Sequence, residues 1–246
     1  MARSLTAEGT GPPEGRGLTH ALNVLVFFAG AGALATEIAA ARLLAPYYGS
    51  STIVWANVIG LVLAALSVGY WLGGKVADRN PSPRVLGRIV VAAGVLIAIV
   101  PFAAGPFLDV SVKGLDEISA GAAIGSFFAV LALFAPPVIL LGMVAPFAVR
   151  LGIEDVRDAG SVAGRLYALS TVGSLLGTFL SALVLIPAIG TRRTLLVAAV
   201  TVALSGAVLL GRRWLVVAAA LGALIAIPPG EVRAERGLIH EQESRY

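Results

Sequence analysis

Unbroken apolar runs constrain this chain more than any other feature. Seven hydrophobic segments follow one another, at about residues 21–44, 52–73, 89–108, 125–149, 166–189, 194–211 and 214–227. Core helices of water-soluble proteins carry apolar runs of about 10–14 residues, whereas about 20 are needed to cross a hydrocarbon layer roughly 30 Å thick. Several of these runs reach that length. The chain is 58% hydrophobic and 13% charged, against roughly 25% charged in soluble domains. The expected fold class is therefore all-α, a polytopic integral membrane helical bundle with about seven hydrophobic segments.

Three regions are expected: a disordered cytoplasmic N-terminal tail at 1–19, a transmembrane helical domain at 20–229 and a soluble tail at 230–246. The first apolar run exceeds the roughly 7–15 residues of a signal peptide's apolar region, so it reads as a retained helix. The last two runs are short, and the second falls below the ~17-residue minimum for a crossing. Either they form a tight hairpin or the last lies partly in the interface. Trp55, Tyr70 and Trp71 flank the second run as interfacial aromatics do. Pro101 and Gly105 are expected to kink or end the third, and Pro136, Pro137 and Pro146 interrupt the fourth. Gly69 with Gly73, Gly121 with Gly125 and Gly173 with Gly177 recur at the four-residue spacing that lets helices approach closely in lipid. They favour general packing over a dedicated homodimer face. No pair of inverted halves is discernible in the sequence.

Composition excludes several chemistries. Without cysteine there is no disulfide, thiolate metal site or cysteine nucleophile. His20 and His240 lie outside the apolar runs, against haem or a zinc cluster, and no cofactor or metal is expected. The formal charge is +4, with arginines between the runs, which suits orientation in a bilayer rather than nucleic-acid binding. An N-terminus inside puts eleven Lys and Arg on the cytoplasmic side and seven outside; if the last run does not cross, the division becomes fourteen against four. The expected location is a bacterial inner membrane, multi-pass, with the N-terminus cytoplasmic and the side of the C-terminal tail left open.

Glu37 is the sole acidic residue inside these hydrophobic segments. An ionisable group at membrane depth is costly, so it faces a protein partner or a watery cavity and marks a functional site. Two roles stay open: a structural lock to neighbouring helices, or a host for a cation, proton or amine. The candidate amine or cation site comprises Glu37, Arg42, Tyr47 and Asn57. Arg42 is most simply a snorkelling residue, with pairing to Glu37 as the alternative. Asn57 is positioned to hydrogen-bond across to that pair. Asp78 and Arg79 form a candidate clamp on a cytoplasmic loop. Gly30, Gly32 and Ala35 match G-x-G-x-x-A, and Gly69, Gly74 and Lys75 match the start of a P-loop, but neither follows a strand and Val76 replaces the required Ser or Thr, so both are chance matches.

Larger motifs carry a resemblance: Gly32 through Glu37, Arg42-Leu43-Leu44, Gly49-Ser50-Ser51, Gly73 through Arg79, Gly142 through Pro146, Gly164 through Ala168, Gly173 through Gly177, and Leu185-Ile186-Pro187. Over most of 30–192 the chain resembles the transmembrane region of bacterial fused major-facilitator/spermidine-synthase-like proteins. It departs from them at Leu169-Ser170-Thr171, where that family usually has Asn-Thr after Tyr-Ala; the loop at Asp78 and Arg79 resembles the one between the second and third helices of major-facilitator transporters, with Pro81-Ser82-Pro83 in place of that family's Gly-Arg pair. The resemblance implies a membrane module that anchors a spermidine-synthase-like aminopropyltransferase domain, in cis or in trans, and handles polyamine. Residues 241–246 resemble the lead-in to that domain, but no donor-binding loop or acidic catalytic pair follows, so this chain alone is not expected to be a competent synthase. The alternatives are a polyamine or cation transporter of major-facilitator-like type, and a purely structural anchor or dimer scaffold.

Overall fold

A computed structural model describes residues 13–115 and 121–226. Every described element is helical: α1 (Pro13–Tyr48), α2 (Thr52–Arg79), α3 (Pro83–Leu115), α4 (Gly121–Ala129), α5 (Ala135–Gly142), α6 (Val144–Gly152), α7 (Ala159–Leu180), α8 (Ile186–Leu210) and α9 (Leu215–Ala223). Two π-turns, Val130–Phe134 and Ser181–Leu185, join α4 to α5 and α7 to α8. Prolines explain both. Pro136, Pro137 and Pro187 lack the N–H that would bond a carbonyl one turn back, and the widened turn absorbs the mismatch. α1 starts at Pro13, so the expected tail at 1–19 gives up its last residues to the helix. The remainder of that tail and residues 227–246 lie outside the described residues.

Five helical stretches are long and apolar enough to cross a membrane: 17–48, 52–79, 83–112, 121–152 and 156–210, the last with 55 residues. A straight helix of that length spans about 80 Å at 1.5 Å per residue, far beyond a bilayer core. It is not straight. A Cβ on Gly177 would meet the Ala31 backbone, while one on Gly32 would meet Val202. Residues 177 and 202 therefore flank neighbouring positions of α1, and the chain has reversed between them. The reversal is at Gly190, whose φ of 81° and ψ of 165° are non-helical in a region open essentially only to glycine. Gly190→Ala is expected to cost about 1–3 kcal/mol, read as a lower melting temperature in detergent with cation responses unchanged.

The bundle thus has six legs: α1, α2, α3, the α4–α6 stretch, residues 159–189 and residues 191–210. A seventh long apolar helix is not found among the described residues. The seventh expected segment forms α9 flanked by single 3-10 turns, Arg212–Trp214 and Leu224–Ala226, and folds back on α8 after Gly211 (φ 91°), as in the hairpin alternative. The third leg is also longer than expected; Pro101 and Gly105 do not end it, and the helix continues to Leu115. Tight corners separate the early legs. Gly49 takes φ 76°, Ser51 caps α2 by accepting from the Val54 N–H, and Asn80 closes α2 on Val76. Residue 17, the corners at 80–82 and 153–158, and residues 211–214 share one end of the bundle, called here the N-terminal end. The corners at 49–51 and Gly190 share the far end.

Legs 1–3 and legs 4–6 pack as an inverted pair. On leg 2, a Cβ at Gly69 would meet Ile139 and Gly142, and one at Gly73 would meet Met143, both on leg 4. On leg 5, Gly173 and Gly177 approach Phe27 and Ala31 of leg 1 in the same way. Each contact is returned by a glycine: Gly142 against Leu66, and Gly30 against Ser170. Leg 3 packs antiparallel on leg 6, with Gly87 against Gly206 and Gly94 against Ala199 and Ala203. The first triplet runs up-down-up and the second down-up-down. The glycine pairs seen in the sequence therefore set the leg spacing, and the inverted halves that the sequence conceals are present in the packing. Legs 2 and 5 are the outermost and carry exposed Ile53, Ile59, Leu63, Trp71, Leu175, Leu176, Phe179 and Leu183. So much exposed apolar surface suits lipid rather than water.

Candidate functional site

Four legs converge on a small cavity, legs 1, 2, 4 and 5. Its volume is about 60 Å³, and Ala29, Gly30, Ala33, Leu66, Tyr70 and Ser174 are among the residues that line it. The inverted repeat runs through it. Ala29 and Ala33 of leg 1 correspond to Leu141 and Ala145 of leg 4, and Leu66 and Tyr70 of leg 2 correspond to Ser170 and Ser174 of leg 5; all eight line the cavity. At about 15 Å³ for each water-sized site, the space holds roughly four waters.

Glu37 does not line this cavity. Helical spacing puts it on the same face of leg 1 as Gly30, Ala33 and Leu34, one turn farther toward the far end. Its side chain is partly buried. Among the described residues no basic side chain lies within ion-pairing distance of it. The same spacing argument applies across the seam. Leg 5 runs parallel to leg 1 with Gly177 beside Ala31, so Ser181 lies beside Ala35, about 3 Å of helix rise below Glu37. Ser181 is 1% exposed and Thr36 is 0% exposed, and neither hydroxyl has a hydrogen-bond partner.

The repeat supplies an internal control for these polar groups. At the equivalent positions leg 4 has Ala148 and Val149 in place of Thr36 and Glu37, and leg 2 has Ala77 in place of Ser181. Ala77 and Ala148 are fully buried and Val149 is partly buried, as Glu37 is. Packing at this depth is thus satisfied by apolar side chains in one half. The polar set in the other half is not demanded by packing.

The other sequence-derived candidates fall elsewhere. Arg42 is exposed in the last turns of α1 and forms no pair with Glu37, because five residues place it well off that face. Tyr47 is partly buried at the end of α1. Asn57 does not reach Glu37; its Nδ2 donates to the Ala123 carbonyl at 2.9 Å and to Ser126 Oγ at 2.8 Å, tying leg 2 to leg 4. Asn57→Ala is expected to cost about 0.6–1.7 kcal/mol, the range of hydrogen bonds between membrane helices, measured as reduced thermal stability. Asp78 pairs with Arg150 of leg 4 at 3.4 Å rather than with Arg79, and all three are exposed. An exposed pair of this kind contributes about 0–1 kcal/mol.

Sequence reasoning missed two features. Tyr48, next to the candidate Tyr47, carries a buried far-end contact, its hydroxyl donating to Ser111 Oγ at 2.8 Å. The second is Ser181: the sequence marks the start of leg 5 as partly polar through Tyr167, Ser170, Thr171 and Ser174, and Ser181 extends the face of Ser170 and Ser174 (i, i+4, i+11), a periodic signal.

Comparison with protein-family models, with curated proteins and with solved structures returns no match to this chain. The likeness to fused major-facilitator/spermidine-synthase-like proteins rests on the sequence motifs alone.

Proposed function

We propose that this chain is a multi-pass inner-membrane module that hosts a proton or small monovalent cation at Glu37. The observation that carries the reading is a partly buried carboxyl at membrane depth with no basic partner among the described residues, at a position where the repeat uses valine. A lone acidic group in such a place is a natural host for positive charge. The neighbouring cavity, one helical turn from Glu37 on the same face of leg 1, is about 60 Å³ and admits water or a small cation, whereas spermidine needs the legs to separate. Polyamine handling therefore belongs to an opened form of the bundle.

Charge sets the orientation in this proposal. Lys75, Arg79, Arg84, Arg88, Arg150, Arg157, Arg165, Arg212 and Arg213 occupy the N-terminal end, against Arg42, Lys113, Arg192 and Arg193 at the far end. The positive-inside bias puts the N-terminal end in the cytoplasm, where a spermidine-synthase-like aminopropyltransferase domain would be anchored. A second reading, a cation or polyamine transporter, is favoured by one observation: six legs in two inverted triplets, the plan found within each half of major-facilitator transporters. Proteoliposomes separate the two. Cation-dependent stabilisation without flux supports the module, flux of sodium, protons or spermidine supports the transporter, and neither response leaves only an anchor.

A further inference from the structure

We propose that Arg192 and Arg193 hold the phosphate of an anionic phospholipid at the far end of the bundle, with its acyl chains laid along the outer seam between legs 3 and 6. Glu37 takes no part in this site. Both arginines follow Gly190 in the first turn of leg 6, where a helix presents its positive end and cations are disfavoured. Charge bias gives no reason for them here, since most basic residues gather at the opposite end. Among the described residues neither is ion-paired; Asp109, on leg 3 toward this end, is exposed. Both side chains are partly buried, and both Nε atoms are fully buried without a hydrogen-bond partner. A buried donor on a charged group is costly until an acceptor reaches it. Leg 3, the counterpart of leg 6 in the repeat, also starts with an arginine, but Arg84 is exposed and water serves it.

What continues from the arginines toward the N-terminal end identifies the anion as a lipid. The Arg192 guanidinium lies over the Phe102 ring, 4.5 Å from its centroid. Phe102 is exposed and heads a stripe of leg 3 that runs through Ile99 to Ala92, both also exposed. Arg193 heads the corresponding stripe of leg 6: Val197, Leu204 and Val208 follow on its face at i+4, i+11 and i+15, and Leu204 and Val208 are exposed. Gly94 sits against Ala199 and Ala203, so the two stripes descend side by side. From Arg193 to Val208 the rise is about 22 Å at 1.5 Å per residue, more than the roughly 15 Å depth of one leaflet's hydrocarbon. A guanidinium pairs with phosphate through its planar fork and stacks on an aromatic ring at the same time. Free phosphate would use the arginines and leave the apolar seam without a role, whereas a phospholipid uses both.

Native mass spectrometry of the whole chain in detergent, with phosphatidylglycerol or phosphatidylcholine titrated in, reads the binding. Phosphatidylglycerol is expected to bind about tenfold tighter than phosphatidylcholine, the worth of one charge-assisted contact. Arg192→Gln with Arg193→Gln should remove that preference, and Arg84→Gln with Arg88→Gln, at the opposite end, should keep it. No preference in the wild type, a preference that survives in the Arg192/Arg193 variant, or one lost equally in the Arg84/Arg88 variant overturns the site. Inorganic phosphate in excess separates the two sources of the anion. It should leave phosphatidylglycerol bound, and displacement at concentrations matching the lipid's would show that the arginines take a free anion and overturn the lipid. Where the double variant fails to fold, Arg193→Gln alone is expected to weaken phosphatidylglycerol binding about fivefold, and unchanged binding there overturns the site as well.

Discussion

Glu37→Gln is expected to abolish stabilisation by small cations while leaving the bundle folded. A ligand at 100 times its dissociation constant stabilises by about 2.7 kcal/mol, which for a chain of this size raises the melting temperature by about 5–10 °C. Wild-type protein in detergent should show such a shift with its preferred cation, and Glu37→Gln should show none. The fold should tolerate the change because Val149, at the equivalent position of the repeat, packs with no polar group at all. Relief from carrying an unpaired ionisable group in a low-dielectric place should raise the cation-free melting temperature of the variant above that of wild type. Opposite results would mark Glu37 as a structural lock: a large loss of stability in Glu37→Gln with the cation response intact. Glu37→Val, which copies the other half of the repeat, makes the same test without leaving an amide to be satisfied.

The second large effect concerns the glycines between legs 1 and 5. Gly173→Val is expected to destabilise by about 3 kcal/mol or more, at the severe end of overpacking. A Cβ there runs into the Phe27 carbonyl, which is backbone and cannot rotate aside. Leg 1 has nowhere to retreat, since Gly32 on its other flank is already against Val202 of leg 6. Loss of monodisperse protein on size exclusion would be the readout. Gly74→Ala is the control on an equally helical residue: nothing lies within 4 Å of the added Cβ. Better helix propensity should then leave stability unchanged or raise it by up to about 1 kcal/mol. If Gly173→Val melts like wild type, the close approach of legs 1 and 5 is wrong, and with it the placement of Ser181 near Glu37.

How much of the site was legible differs from residue to residue. Glu37 stands out in sequence because a carboxylate among apolar residues is anomalous whatever surrounds it. Its supposed companions did not assemble. Arg42 and Asn57 lie close to it along the chain, yet a five-residue step leaves the helix face and Asn57 meets Ser126, 69 residues away. Conversely, Asp78 and Arg79 are adjacent, and the ion pair forms instead with Arg150. Proximity in sequence is a poor guide to partners once every helix end is crowded by several legs. The start of leg 5 reads from sequence as a partly polar face through Tyr167, Ser170, Thr171 and Ser174, but that Ser181 continues it beside leg 1 carries no meaning until the facing surface is known.

Run length and composition determined by themselves that the chain is all-helical and apolar enough for a membrane, since each helix satisfies its own backbone and needs no partner to do so. They also marked the glycine pairs at four-residue spacing. Tertiary structure alone decided where the long apolar stretches reverse, because a run reads the same whether it continues or turns, and the chain turns at Gly190 and again after Gly211, where α9 packs back on α8. It alone revealed the inverted halves: their correspondence lies in which backbones touch at Gly69 and Gly173, while the side chains around them have diverged. Local preferences are written along the chain, but a contact between two legs depends on both surfaces at once.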